Sequence, residues 1–136
     1  MPNAFVHVEL STDDVSKAKQ FYKRVFAWKL KDQKMGPGMT YTMLDVGKGV
    51  GGGMMKKSMP EAPTAWLSYV EVDDVKKTLA KARNAGAQVV VDYQEIGAMG
   101  AIGVFVDPAG AALGVWQNAK KPARKPAKKP AAKKKR

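Results

Sequence analysis

The single histidine of this 136-residue chain lies two residues before a glutamate, as His7 and Glu9, within the alternating stretch 5–11. Alternation of apolar and polar residues indicates a β-strand, and side chains two residues apart on a strand point to the same face. An imidazole and a carboxylate on one face could move a proton or bind a polar ligand group, so His7 and Glu9 are the candidate catalytic residues. A pocket-lining histidine that is satisfied by a neighbour is the structural alternative.

Other chemical motifs are incomplete in this sequence. There is no cysteine, which excludes a disulfide framework and suits a reducing compartment. Gly47, Gly49 and Gly52 match the spacing of a dinucleotide-binding loop, but that loop needs a helix that begins within the glycines. Pro60 follows too soon for such a helix, and three consecutive glycines disfavour it. We interpret the match as coincidental.

An internal repeat determines how these residues are positioned. A shift of 60 positions places the Asp-Asp-Val of residues 13–15 on that of residues 73–75, and the strand-like residues 5–10 on residues 65–70. Each copy predicts a strand, a helix capped by Asp13 or Asp73, and three more strands, with Gly86 ending the second helix. Units of about fifty residues bury too little surface to fold alone, so both should share one core. The predicted strands are 5–11, 27–34, 39–46, 50–55, 66–72, 87–92, 101–106 and 111–117.

The positive charge of the chain is concentrated at its end. The net charge is +12, but residues 1–118 carry 14 basic and 12 acidic side chains, whereas residues 119–136 carry no acid. Proline and like-charge repulsion predict that this Lys/Pro/Ala-rich tail is disordered. Such a tail could bind nucleic acid without reading its sequence, or could act as a solubility or tethering appendage. Its cationic residues are Lys120, Lys121, Arg124, Lys125, Lys128, Lys129, Lys133, Lys134, Lys135 and Arg136.

Several separated motifs of residues 1–118 occur in an order that resembles the vicinal oxygen chelate superfamily. They are His-Val-Glu-Leu-Ser-Thr-Asp-Asp-Val at 7–15, Val-Gly-Gly-Gly-Met at 50–54, Val-Asp-Asp-Val at 72–75 and Phe-Val-Asp-Pro-Ala-Gly at 105–110. This superfamily includes glyoxalase I, bleomycin-resistance proteins and extradiol dioxygenases, and the chain is most similar to its glyoxalase-like branch of undefined substrate. The resemblance implies an α+β fold of two βαβββ modules, 5–55 and 66–117. Their eight strands would form a curved, partly open barrel-like sheet with the helices outside, in a homodimer.

The resemblance also implies where a metal would bind. The metal enzymes of the family hold a divalent ion with His and Glu side chains from the first and fourth strands of both modules. These positions correspond to His7 and Leu67 on the first strands and to Gly52 and Gly114 on the fourth strands. Because a stable site needs three or more protein ligands, we predict a pocket with no metal and no cofactor.

Strand alternation then predicts the lining of the pocket. The inward side chains would form a largely apolar and aromatic cavity with a few polar groups, as in many small-molecule sites. The alternative is that the aromatic rings simply fill the barrel. The predicted pocket residues are His7, Glu9, Gly52, Met54, Leu67, Tyr69, Gly114 and Trp116.

These observations predict a protein that binds a small organic molecule whose identity the sequence does not specify. The first alternative is a metal-independent lyase, isomerase or hydroxylase, and the second is a nucleic-acid-associated protein that acts through its tail. The N-terminus lacks the pattern of a secretory signal, and no apolar run approaches the roughly 18 residues of a membrane span. We therefore expect a soluble, cytoplasmic protein with no membrane partner.

Overall fold

A computed structural model describes residues 2–119, without the side chains of residues 35 and 36. The predicted order of one strand, one helix and three strands, present in two copies, is confirmed. A short 3-10 helix, Gly97–Met99, lies in addition between the sixth and seventh strands. The first module comprises β1 (Phe5–Thr12), α1 (Val15–Val25), β2 (Lys29–Gly36), β3 (Met39–Asp45) and β4 (Gly52–Lys56). The second comprises β5 (Ala65–Glu71), α2 (Val75–Asn84), β6 (Gln88–Glu95), β7 (Gly100–Val106) and β8 (Ala112–Asn118).

All eight strands belong to one mixed sheet in the order β2-β3-β4-β1-β5-β8-β7-β6. In each module the first strand runs parallel to the fourth, as β1 with β4 and β5 with β8. The modules join at the centre of the sheet, where β1 and β5 pair antiparallel. Since β2 and β6 remain as the two edges, the sheet does not close into a barrel, and the predicted α+β architecture with a partly open sheet is confirmed.

Both helices begin one residue later than the sequence predicted. The N-caps are Asp14 and Asp74, not Asp13 and Asp73. Each capping carboxylate accepts a hydrogen bond of 3.0 Å from the backbone N–H three residues on, which satisfies one of the free donors of the first turn. After α2, Gly86 has a φ of 104° and provides the left-handed residue predicted there.

The apolar core lies on the helix-covered face of the sheet, in two clusters. The cluster beneath α2 is the more deeply covered, because α2 buries Val75 and Leu79 whereas α1 contributes no buried residue. Gly103 of β7 lets α2 approach closely, since a Cβ there would lie 2.7 Å from Leu79 Cδ1. The buried members are Leu10, Leu44 and Met54 in the cluster beneath α1 and Val72, Val75, Leu79 and Val115 in the cluster beneath α2.

The basic tail predicted to be disordered falls outside the described residues, apart from Ala119. In the part of the chain that the structure describes, neither helix has the length and apolar character needed to cross a bilayer.

Candidate functional site

A cleft of about 310 Å³ lies on the face of the sheet opposite the helices, within a single chain. One side is formed by β1 and the β3–β4 region, and the other by β8 and the connection between β6 and β7. Its lining combines polar groups with methionine, isoleucine and tryptophan side chains. The lining residues are His7, Glu9, Met39, Thr40, Tyr41, Met55, Gln94, Glu95, Ile96, Gly97, Met99, Ile102 and Trp116.

Two other hollows of comparable size offer less chemistry. A hollow of about 230 Å³ on the helix side, next to Trp28 and Trp66, is almost wholly apolar. Another, of about 330 Å³, lies near the start of α1, but Lys19 and Thr42 there are already bonded to Asp32. The concave cleft therefore provides the best-defined combination of polar and apolar groups in residues 2–119.

The polar centre of the cleft is a hydrogen-bonded chain of three side chains. Oη of Tyr41 lies 2.7 Å from Nε2 of His7, and the same hydroxyl donates to Oε1 of Glu9 at 3.1 Å. Because a phenol has one proton, Nε2 of His7 must donate to Tyr41 in this arrangement. Nδ1 of the neutral imidazole and Oε2 of Glu9 then remain able to accept hydrogen bonds from a ligand.

Burial shifts the pKa values of all three groups toward their neutral forms. It lowers the pKa of His7 and raises the pKa of Glu9, although the hydrogen bond from Tyr41 partly opposes the latter. The pKa of Tyr41 is raised by burial and by the nearby carboxylate of Glu9. The same two causes raise the pKa of Tyr69. The phenols therefore stay protonated, and burial favours the uncharged forms of both Glu9 and His7.

Aromatic rings enclose His7 and form the apolar part of the site. The imidazole centroid lies 5.2 Å from the ring of Trp116 and 5.8 Å from that of Tyr69. The indole N–H of Trp116 donates to Oδ1 of Asn118 at 3.0 Å, and Asn118 in turn donates to Glu71 at 2.6 Å. These bonds hold the indole in one orientation beside the cleft.

A tyrosine ring covers a glycine on the fourth strand of each module. A Cβ on Gly53 would lie 2.1 Å from atoms of the Tyr41 ring, and a Cβ on Gly114 would lie 2.4 Å from Tyr69. Gly53 pairs with Glu9, and Gly114 pairs with Tyr69. Glycine at these two places is therefore what allows the tyrosine rings to occupy the concave face.

The structure separates the eight predicted pocket residues into three groups. His7, Glu9 and Trp116 line the cleft. Leu67, Tyr69 and Gly114 lie on the same face by register but do not line it.

The remaining two, Gly52 and Met54, were assigned to the wrong face. Met54 pairs with Leu10 and is completely buried with it beneath α1. A Cβ on Gly52 would meet the backbone oxygen of Val8, which leaves no room for any side chain. On β4 the neighbouring residues Gly53 and Met55 lie on the concave face instead.

Sequence reasoning missed Tyr41 and the residues of the β6–β7 connection. Strand alternation could have identified Tyr41. Thr42 and Leu44 of the same strand are buried on the helix side, so Tyr41 must face the other way. No comparable signal identified residues 94–99, because they leave the strand and enter the short 3-10 helix.

The residues do not fit the metal site of the family's metal enzymes. In residues 2–119 no three His, Cys, Asp or Glu side chains come together as a possible ion site. At the predicted ligand positions, Leu67, Gly52 and Gly114 offer no side-chain donor, and Gly53, which faces the cleft in place of Gly52, offers none either. Nε2 of His7 is bonded to Tyr41. In addition, the rings of Tyr41 and Tyr69 fill the space over the two glycines.

Two groups of curated proteins resemble the chain in sequence. CFP32 of Mycobacterium bovis, a candidate glyoxylase by name, is 38% identical over 114 residues, which cover 81% of this chain and 44% of that protein. The anthracycline biosynthesis protein DnrV of Streptomyces peucetius is 26% identical over 133 residues, which cover 85% of this chain and 47% of that protein. The chain thus spans less than half the length of these relatives.

Solved structures share the fold at low sequence identity. Methylmalonyl-CoA epimerase from Mycobacterium tuberculosis has a TM-score of 0.63 at 17% identity, with 85% of this chain and 88% of that one covered. A hypothetical protein from Bacillus halodurans has a TM-score of 0.67 at 12% identity, with 91% of this chain and 100% of that one covered. The family model matches residues 4–115, and the chain belongs to the Glyoxalase/Bleomycin resistance protein/Dioxygenase superfamily.

Proposed function

We propose that the chain binds a small organic molecule in the concave cleft. The observation that carries this proposal is that the His7–Tyr41–Glu9 chain lies in one cavity with methionine, isoleucine and tryptophan side chains. Such a site gives a ligand apolar contact area together with a few polar groups that fix its orientation. A flat group would lie against Trp116, while a polar group would bond to Glu9 or His7.

A ligand screen with matched variants tests this proposal. Aromatic metabolites, thiol adducts of α-keto aldehydes and antibiotics are screened for a rise in melting temperature, because a ligand of the folded state stabilises it. The stabilisation should weaken in Tyr41→Phe, which loses the hydroxyl of the cleft, and should persist in Val50→Ala, which alters the helix-side hollow. Stabilisation lost in Val50→Ala but kept in Tyr41→Phe would place binding elsewhere.

The hydrogen-bonded chain also favours a second candidate, metal-independent isomerase or lyase chemistry by proton transfer. The carboxylate of Glu9 would take a proton from a carbon next to a carbonyl, leaving the electron pair on the enolate, and the acid formed at Glu9 would return a proton. The hydroxylase alternative stays a prediction that no described residue supports.

Exchange of ligand hydrogen for deuterium tests this chemistry directly. For any ligand found in the screen, NMR in heavy water should reveal exchange with the wild-type chain and none with Glu9→Gln. A ligand that binds without exchange would identify the chain as a binding protein only.

The tail supports a third candidate of a different class, non-specific association with nucleic acid. Ten Lys and Arg residues and no acid lie in residues 119–136, and cations of this density bind phosphates by releasing counterions. Homodimerisation and a cytoplasmic location likewise stay predictions. Sedimentation velocity tests the dimer, and fractionation of cells that express the chain tests the location.

A further inference from the structure

The cleft holds one carboxylate and no Lys or Arg side chain among the residues that the structure describes. Glu9 and Glu95 are the acidic residues among its thirteen lining residues, and only Glu9 carries its side chain on the concave face. We infer that the cleft selects an organic cation, an amine attached to a flat apolar group, over neutral or anionic molecules of the same shape. This inference rests on the proposed binding function and adds the chemical class of the ligand.

Glu9 lies in the base of the cleft without a cationic partner. In residues 2–119 its one side-chain hydrogen bond comes from Tyr41 to Oε1, and none of the ion pairs of that region includes it. A half-buried carboxylate is costly unless a positive charge or several donors compensate it. An ammonium group bonded to Oε2 would supply both the charge and the missing donors.

The other titratable groups that face Glu9 do not supply this charge. They are His7 on its own strand, Tyr41 on β3 and Tyr69 on β5, and burial shifts the pKa of each toward its uncharged form. On β4 the nearest cleft residue is Met55, which does not ionise. Lys31 of the edge strand β2 shares this face of the sheet through its pairing with Met43, but it is exposed and does not line the cleft.

Glu95 borders the cleft but directs its carboxylate to the helix-covered face. It pairs with Ala101, which shares that face with Gly103, and its Oε2 accepts a hydrogen bond of 3.3 Å from Tyr93, whose ring packs against the cluster beneath α2. An exposed charge of this kind contributes little to affinity, although it attracts oppositely charged ligands. Glu9 is therefore the carboxylate that would contact a bound cation.

The apolar part of the ligand has a defined place as well. Trp116 borders the cleft, with its indole held by Asn118, and Met39, Met55 and Met99 contribute deformable thioether side chains. An aromatic group stacks favourably on the indole, and a nearby ammonium gains further from the electron-rich ring face. Methionine side chains adapt to the irregular outline of such a ligand.

Three probes of one shape test the inference on the full chain: naphthylethylamine, naphthylethanol and naphthylacetate. Binding is followed by NMR through the indole N–H of Trp116 and the ring of His7. We expect the amine to bind at least about tenfold more tightly than the alcohol, and the carboxylate to bind weakest. Glu9→Gln should remove most of the preference for the amine over the alcohol. The exposed residue Glu61 serves as the control, because Glu61→Gln should keep that preference.

The possible outcomes separate this inference from the proposed function. If the alcohol or the carboxylate binds as tightly as the amine, or if Glu9→Gln leaves the preference unchanged, the inference is overturned while binding in the cleft stands. If none of the three probes perturbs the NMR signals of Trp116 or His7, both the inference and the proposed binding function are overturned for aromatic ligands of this size. A melting temperature of Glu9→Gln that is no lower than that of the wild type ensures that lost binding is not lost folding.

Proton release provides an independent readout. Because a bound ammonium stabilises the carboxylate, it lowers the raised pKa of Glu9, and at a pH where Glu9 is partly protonated the folded protein releases protons when the amine binds. Calorimetry in buffers of different ionisation enthalpy should therefore detect release for the amine but not for the alcohol. Equal proton release by the alcohol, or release that persists in Glu9→Gln, would assign it to another group and contradict the inference.

Discussion

The ring of Tyr69 lies directly over the backbone of Gly114, so that a Cβ on Gly114 would come within 2.4 Å of Cδ2 of the ring. Tyr69 is almost completely buried, with 2% of its surface exposed, so a shift of its ring would disturb the residues packed around it. Gly114→Ala should therefore destabilise the fold by about 1–3 kcal/mol, the usual cost of overpacking a core. Urea unfolding at equilibrium measures this change.

A double-mutant cycle establishes whether the ring is the cause. Tyr69→Val removes the ring, so Tyr69→Val with Gly114→Ala should cost less than the sum of the two single changes. Gly110→Ala serves as the matched control, because Gly110 has a φ of 104° and open space around it. Its cost comes from the backbone and should add to that of Tyr69→Val. Additive costs at Gly114 would contradict the proposed contact.

The two ionisable groups on β1 give the stability of the fold opposite dependences on pH. Burial raises the pKa of Glu9 above 4.5, so the folded protein holds that proton more tightly than the unfolded chain does. The free energy of unfolding should therefore fall as the pH rises from 4.5 through the raised pKa. Burial lowers the pKa of His7 below 6.5, so its contribution rises with pH between the lowered value and 6.5.

Two variants separate these contributions. Glu9→Gln keeps an acceptor for Tyr41 and should be more stable than the wild type at neutral pH, since it no longer buries a charge. His7→Gln should remove the rising component below pH 6.5. Urea unfolding over a series of pH values measures both. A wild-type-like fall with rising pH in Glu9→Gln would mean that another group causes it.

The Tyr41 hydroxyl should lower the pKa of Glu9. Its hydrogen bond lowers the pKa of Glu9 against the opposing effect of burial, so Tyr41→Phe should raise that pKa further. NMR titration of the Glu9 side-chain carboxyl carbon measures the change. Tyr93→Phe removes a hydroxyl that donates to Glu95 and is the matched control, which should leave Glu9 unchanged. An unchanged or lower pKa in Tyr41→Phe would contradict the hydrogen-bonded chain.

The sequence predicted the face of a residue correctly only on strands whose side chains alternate clearly between bulky apolar and other types. Alternation placed Tyr69 and Trp116 on the face of His7, because β5 and β8 contain bulky residues whose pattern defines both faces. On β4 the run 51–53 consists of glycines, which carry no such pattern, and the prediction slipped by one residue. A one-residue error inverts the face of a strand, which is why Gly52 and Met54 were misplaced.

The repeat predicted the architecture but not the centre of the cleft. Each module supplies the same elements, and the central pairing of β1 with β5 brings their first strands together. Tyr41, however, joins His7 to Glu9 from a strand more than thirty positions along the chain. No local periodicity reports such a contact, because it depends on the curvature of the sheet and on the absence of a side chain at Gly53.

Lys57 should stabilise the connection between the modules. Its side chain is only 7% exposed and lies 3.2 Å from Asp13 Oδ1. Its ammonium group also donates to the carbonyl oxygens of Ala62 at 2.6 Å and of Pro60 at 3.3 Å. Lys57→Met should cost about 1–3 kcal/mol, because the carbonyl of Ala62 loses its charged donor in a partly buried place.

The neighbouring lysine provides the control for this effect. Lys56 is exposed, so Lys56→Met removes the same charge with little change in the free energy of unfolding. Asp13→Asn should also cost little, since Asp13 is 72% exposed and its ion pair is screened by water. If Asp13→Asn costs as much as Lys57→Met, the ion pair with Asp13, and not the hydrogen bonds to the carbonyl oxygens, accounts for the stabilisation by Lys57.

Binding of the full chain to duplex DNA should depend steeply on salt if the tail carries it. The body of residues 1–118 has a near balance of 14 basic and 12 acidic side chains, whereas the tail has ten cations. Each phosphate neutralised by the tail contributes about −0.9 to the slope of the logarithm of the binding constant against that of the salt concentration. Titrations by fluorescence anisotropy at several salt concentrations give this slope.

Replacement of the ten tail cations by glutamine in the full chain should abolish both the affinity and the slope. As a control, Lys17→Gln, Lys23→Gln and Arg24→Gln together remove three cations from α1 and should leave the slope nearly unchanged. If DNA binding survives in the tail variant but is lost in the α1 variant, the folded body holds the nucleic-acid site. Because counterion release depends on how many charges meet phosphates, the slope separates these cases even when both variants bind more weakly.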